Sequence, residues 1–145
     1  MPIAADNRPL VETFFHKDTG TFTYVVHAGD GSDAAIIDPV LDYDAVSART
    51  STLSADAVLA FVRAHALRVG WILETHAHAD HLSAGGYLRD VLGAQLAIGR
   101  GIVDVQAYFK QLFGLGDGFV ADGRQFDRLF DDGEVFPIGH LEARV

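Results

Sequence analysis

Thr75-His76-Ala77-His78-Ala79-Asp80-His81 sets three imidazoles and a carboxylate within seven residues, directly after the apolar run Trp71-Ile72-Leu73 and Glu74. Trp71 to Thr75 reads as a buried strand that delivers this cluster at its end. Alternate residues of extended backbone point the same way, so His76 and His78 can grip one ion together. The chain then turns, and Asp80 and His81 can face the same pocket from just before a helix. Neutral imidazole and carboxylate suit zinc, iron and related divalent ions. Three of the seven histidines fall in this run beside an acid, a concentration that a merely solvated loop has no reason to produce. The stretch reads as a metal cluster of His76, His78, Asp80 and His81.

The flanks fit that reading. Leu82 to Leu92 predicts a short helix with Leu82, Leu88, Val91 and Leu92 as its apolar positions, ended near Gly93. Gly85 and Gly86 in its first turn let a backbone or ligand approach closely. A strand-to-helix junction also offers free N–H groups and a positive dipole end to an anionic ligand group.

Thr75 to His81 resembles the T-H-x-H-x-D-H motif of the metallo-β-lactamase superfamily. The resemblance implies an α/β fold, the αββα sandwich with metals between its sheets. Ile36-Ile37-Asp38-Pro39-Val40, Glu74 through Ala84, Ala121-Asp122-Gly123 and Phe126-Asp127 look like the persulfide dioxygenase branch, whose relatives include glyoxalase II. The likeness runs across most of Leu10 to Val145. Members build the sandwich from two similar halves, so residues 1–145 are expected to form the N-terminal part of a single domain. The family's next metal-binding His, in an H-T-P-G-H-T-like segment, is expected just after Leu141–Val145, and an isolated copy of this piece is expected to be inactive.

Elsewhere the chain alternates strands and helices. Leu10–Phe15, Thr21–Val26, Ala34–Ile37 and Gln95–Ile98 read as strands, as do Glu134–Phe136 and Leu141–Val145 around a Pro137–Gly139 turn. Ser54 can cap a helix from Ala55 to about Ala66, and Val103 to about Leu112 reads as another. Val40 to Leu53, rich in Asp and Ser, reads as a long loop. His16, His27, His65 and His140 are read as structural, helix-end or turn residues. Asp38 stands either as support for a ligating histidine or as an Asp-Pro turn. Tyr108, Phe109, Phe113, Phe119, Phe126 and Phe130 are assigned to core packing ahead of a substrate channel.

Acidic residues outnumber basic ones by 20 to 11, for a formal charge of −9. Such a surface repels phosphate backbones, so nucleic acid is not an expected partner. Cysteine is absent, which excludes thiolate ligands, disulfides and a Cys nucleophile. Met1 to Pro9 lacks the basic and apolar regions of a secretory signal, and no apolar segment reaches membrane-spanning length; a cytoplasmic location is expected.

Function divides by metal. In the persulfide dioxygenase branch, the resemblance implies one Fe(II) per chain in a two-His, one-Asp triad with open positions for sulfur and oxygen. His76 would be the triad member present here, with His78, Asp80 and His81 orienting it and hydrogen-bonding the bound waters or oxygen. The substrates would be a glutathione-like persulfide and O2. In a glyoxalase II-like thioesterase, His76 and His78 would hold one Zn, and Asp80 and His81 a second. A third reading is a non-catalytic metal-binding module whose exposed half-core favours self-association.

Overall fold

The structure, a computed structural model, describes residues 8–145. Of the segment read above for an export signal, only Arg8 and Pro9 fall among them. A mixed sheet of order β1-β2-β3-β6-β8-β9 is its backbone. Strands β1 (Leu10–His16) and β2 (Thr21–His27) form a hairpin, and β3 (Asp33–Ile37) runs antiparallel to β2. From β3 onward the sheet is parallel, through β6 (Arg68–Glu74), β8 (Gln95–Gly99) and β9 (Arg128–Phe130). The parallel strands need crossovers, supplied by α1 (Leu53–Ala64), α2 (Gly85–Leu92) and α3 (Ile102–Leu112). The mixed α/β class expected from the sequence is the one observed.

Alternation along the strands divides two cores. Val25, Ala34, Ile36, Ile72 and Leu96 pack against Val58, Leu59 and Val62 of α1 and Leu88 of α2. On the other face, Ala35 and Ala97 meet Phe130, Phe136, Ile138 and Leu141. Ile36, Ile72 and Leu88 are fully buried, each contributing about 1.5–3 kcal/mol by removal from water.

Several boundaries depart from the sequence reading. The expected Val40–Leu53 loop holds two strands, β4 (Val40–Asp44) and β5 (Arg49–Ser51), and β4 pairs with both β5 and β7 (Leu82–Ser83). Strand β5 is fully exposed and β4 is buried only at its start, at Val40, so no apolar alternation betrays them. Ser54 sits inside α1 rather than capping it: Thr52 holds the cap position, and Asp42 of β4 accepts the Ser54 N–H at 2.8 Å and its hydroxyl at 2.6 Å. The helix is thus capped by a residue distant in sequence, and it ends at Ala64 because Ala66 turns to φ 50°. Helix α2 starts at Gly85, since Leu82 and Ser83 pair with β4. In the last hairpin, β10 (Val135–Ile138) and β11 (Leu141–Arg144) pair Pro137 with Glu142, so the turn is Gly139–His140. Strand β9 went unread because it is only three residues long.

Among the aromatic residues, Phe130 is buried and Phe126 packs on the first core. Tyr108, Phe109 and Phe113 are exposed, correcting their assignment to the core; of α3, only Ile102 is buried. No helix among the described residues is long and apolar enough to cross a membrane.

Candidate metal centre

The histidine cluster leaves β6 at the C-terminal end of the parallel strands, where open α/β sheets place their ligands. Pairing of Leu82 and Ser83 with Leu41 and Val40 closes the cluster's far side, and Ala84 N–H donates to Pro39 O at 2.9 Å. The loop is therefore pinned at both ends beside Asp38.

Asp38 organises it. Its backbone sits at φ 51°, a left-handed turn that Asp tolerates better than most residues. Its N–H donates to Leu73 O at 2.9 Å, and its own carbonyl accepts the Thr23 hydroxyl at 2.9 Å. Oδ1 accepts the Thr75 N–H at 2.7 Å and His78 Nε2–H at 3.0 Å, while Oδ2 accepts the Thr75 hydroxyl at 2.7 Å. Asp38 is thus at once a turn residue and a hydrogen-bond acceptor for His78.

These contacts fix two tautomers. Thr75 has one hydroxyl proton, given to Asp38, so its oxygen accepts from His76 Nδ1–H at 2.8 Å. The lone pair of His76 is then on Nε2. His78 does the reverse, sharing its Nε2–H between Asp38 and Glu74 Oε2 at 2.9 Å and keeping its lone pair on Nδ1. That Nδ1 lies 3.9 Å from Asp80 Oδ1. The rings of His76 and His78 are 4.3 Å apart, and those of His78 and His81 are 4.2 Å apart.

His78, Asp80 and His81 bring ligand atoms within 4.8 Å of one another. His81 is the most telling member: both its nitrogens are buried without a hydrogen-bond partner among the described residues, although Nδ1 comes within 3.3 Å of Asp80 Oδ1. Leaving a buried polar atom unpaired costs about 1–3 kcal/mol, and a cation on its lone pair removes that cost. Burial, then proximity to His78, pushes the His81 pKa below its ordinary value, keeping it in the neutral form that ligates. Asp80 is held below the usual carboxylate range by a bond from its own N–H and by the neighbouring histidines, so it is anionic. The donor set fits a divalent transition ion. Three of the four sequence-read candidates, His78, Asp80 and His81, bring their donor atoms together, with Asp38 bonded to His78; His76 stands outside that group, its ring 4.3 Å from that of His78. His16, His27, His65 and His140 lie apart from the ligand group; His27 is buried and accepts the Gly29 N–H at 3.1 Å.

Glu74 was overlooked by the sequence reading. It shares the inward register of Ile72, so its carboxylate is buried between His78 and the Ser83 hydroxyl, which donates to Oε1. An acid at a core position of a strand was the available signal. Gly85 gives it room: a Cβ there would stand 2.9 Å from Glu74 Oε1 and 2.7 Å from Leu96. Burial pushes the Glu74 pKa from 4.5 up to about 7, against the Ser83 and His78 interactions that lower it. Because the folded state holds this proton more tightly than the unfolded chain, its contribution to stability is complete below about pH 4.5 and lost as pH rises through about 7. Metal-free protein is expected to lose thermal stability across that window, whereas Glu74→Gln, whose side chain is nearly isosteric but does not titrate, is expected to flatten the profile. Melting temperature against pH for the two proteins checks this.

The cluster opens on a cleft of about 490 Å³ whose walls include Leu96, Ile98, Ile102, Val105, Phe109 and Phe126. Three of the six aromatics assigned to the core, Phe109, Phe119 and the partly buried Phe126, line it. A smaller cavity on the other side of His78, Asp80 and His81 is bounded by His16, Thr19 and Tyr43.

A mixed α/β domain with imidazoles and a carboxylate gathered at its strand ends is a metal-site domain. The chain belongs to the Metallo-beta-lactamase superfamily, which matches residues 16–145. It is 49% identical over 135 residues to a protein of Burkholderia pseudomallei (strain 1710b) named "Probable metallo-hydrolase", covering 93% of this chain and 46% of that protein. Glyoxylase B2 of Dictyostelium discoideum is 41% identical over 96% of this chain and 48% of its own length. The mitochondrial persulfide dioxygenase ETHE1 of Homo sapiens is 35% identical over 94% of this chain and 42% of its own. This chain therefore spans less than half the length of these relatives. Among solved structures, ETHE1 from Myxococcus xanthus superposes with a TM-score of 0.62 at 22% identity, covering 92% of this chain and 45% of that one, a likeness of fold.

Proposed function

We propose that this chain carries the metal-binding cluster of a non-haem iron persulfide dioxygenase, which oxidises a glutathione-like persulfide with O2. The observation that carries the reading is the apolar cleft opening directly on His76, His78 and His81. Dioxygen is weakly hydrated, and such walls favour it over bulk water, as they do the apolar stem of a thiol-derived substrate. The 35% identity to persulfide dioxygenase ETHE1 over 94% of the chain supports the same assignment. The overall reaction balances as R–S–SH + O2 + H2O → R–SH + SO3²⁻ + 2H⁺.

When bound, Fe(II) would supply the redox chemistry that ground-state O2 needs to react with a sulfur anion. This chain's residues would hold it through His76 Nε2, kept unprotonated by Thr75 and Asp38. His78, Asp80 and His81 would orient that ligand and hydrogen-bond the reacting groups. The remaining ligands of the intact enzyme would come from the part of the relatives' length that this chain does not span, making 1–145 the first part of one domain. A cytoplasmic site of action belongs to the same proposal.

A second reading, a two-zinc glyoxalase II-like thioesterase, is favoured by the convergence of His78, Asp80 and His81 within 4.8 Å and by the identity to Glyoxylase B2. In that chemistry a metal lowers the pKa of water to make the nucleophile. One comparison separates them: oxygen uptake and sulfite release with glutathione persulfide, against hydrolysis of a glutathione thioester, on the anaerobically iron-loaded natural enzyme. Persulfide-dependent oxygen uptake with about one iron per chain is expected. Thioester turnover with two zincs and no oxygen uptake would overturn the dioxygenase reading.

A further inference from the structure

We propose that Gln125, held in one orientation by Gln106, donates a hydrogen bond to an acceptor oxygen on the organic part of the substrate. The proposal rests on the reading of the cleft as the site of a thiol-derived substrate. Gln106 and Gln125 line the same cleft as His76, His78 and His81 and bring amide groups to a largely apolar wall.

Their orientation follows link by link. A backbone N–H can only donate, and that of Gly123 lies 2.9 Å from Gln106 Oε1. This fixes the Gln106 amide, whose Nε2 then donates to Gln125 Oε1 at 2.9 Å. Gln125 is left with its NH2 group, which makes no hydrogen bond to protein among the described residues. The anchor is fixed too: Gly123 sits at φ +71°, and a Cβ there would stand 2.8 Å from Leu129. Backbone and two side chains thus form a relay ending in a donor already oriented before substrate arrives.

A pre-oriented donor on a largely apolar wall discriminates once a ligand covers that wall, because a ligand without an acceptor cuts the donor off from water and leaves it unpaired. A carbonyl or carboxylate meets the requirement; an alkyl persulfide or an inorganic polysulfide does not. The substrate class is therefore a peptide-like or carboxylated thiol derivative.

Calorimetric titration of the full-length, metal-loaded protein with glutathione and with ethanethiol tests this, since both carry a thiol but only glutathione carries acceptor oxygens. Gln125 is exposed, so its variants are expected to fold. Gln125→Leu is expected to weaken glutathione about tenfold, the loss of one good hydrogen bond, and to leave ethanethiol unchanged. Gln125→Glu preserves shape and the acceptor for Gln106 but replaces the donor with an anion, and it is expected to weaken glutathione at least as much. Equal losses for both thiols, unchanged glutathione affinity in the variants, or a wild type that binds glutathione no better than ethanethiol would each overturn the proposal. The readout is binding, so absent oxygen uptake alongside a tenfold glutathione-specific loss would sink the dioxygenase reading and leave this one standing.

Discussion

Asp38→Asn is expected to lower metal affinity at the histidine cluster by about 10- to 100-fold, the usual effect of losing the group that orients a ligand. The fold is expected to survive, because Asn tolerates the φ of 51° found here. The loss comes through a proton. In the native arrangement Thr75 gives its hydroxyl hydrogen to Asp38 Oδ2 and accepts from His76 Nδ1. With Asn, the side-chain oxygen must stay on the Thr75 N–H that Oδ1 now accepts, so the amide nitrogen faces the Thr75 oxygen and donates to it. The threonine proton then turns toward His76 Nδ1, and the imidazole moves its own hydrogen to Nε2. The nitrogen meant for the metal is masked. Nitrogen-15 chemical shifts of His76 in metal-free protein report the tautomer, and chelator competition reports the affinity. His65→Ala serves as the control, since His65 pairs with exposed Asp30 at 2.8 Å, and is expected to bind metal normally. Wild-type affinity in Asp38→Asn would show that the tautomer relay does not govern the site.

The distinction between what the sequence disclosed and what it hid is physical. The cluster was legible because its four candidate donors are close neighbours in the chain, whereas the contacts that shape the loop, from Asp38 and the pairing of Leu82 and Ser83 with β4, come from distant sequence. Buried strands such as Ala34-Ala35-Ile36 were legible as continuous apolar runs, since both faces of the sheet are covered. Interactions that depend on pairing at long range were not. Asp42 capping α1 from β4, and β7 pairing with β4, join residues that carry no local signal of each other. Strand β5 and the outer end of β4 looked like loop because exposure removes the apolar face on which strand reading relies. The aromatic residues of α3 misled in the opposite direction. Their apolar character suggested burial, while the fold leaves Tyr108 and Phe113 at the surface and puts Phe109 on the cleft. Glu74 shows where a departure from pattern carried information: an acid in the register of Ile72 breaks the core rule, and it does so beneath the candidate site.

His81→Leu is expected to raise the stability of the metal-free protein while removing its response to metal. Neither buried His81 nitrogen has a hydrogen-bond partner among the described residues, Nδ1 only approaching Asp80 Oδ1 at 3.3 Å, and a buried polar group left unpaired costs about 1–3 kcal/mol. A leucine of similar volume replaces an unsatisfied ring with an apolar side chain suited to that burial, so metal-free His81→Leu is expected to be more stable by about that amount. The order reverses when metal is added. A ligand that binds only the folded state stabilises by RT ln(1 + [L]/Kd), about 4 kcal/mol at a thousandfold excess over Kd. On the two-metal reading, wild type is expected to show that gain and the variant only a small part of it, because one of the three converging donors is gone. Denaturant melts of both proteins, with a chelator and with a titrated divalent metal, measure the crossing directly. A metal-free variant less stable than wild type would mean that the His81 ring is held by packing alone. A full metal response in the variant would remove His81 from the ligand set. The crossing itself, lower stability without metal and higher with it, is the behaviour of a side chain kept in a costly position for its ligating nitrogen.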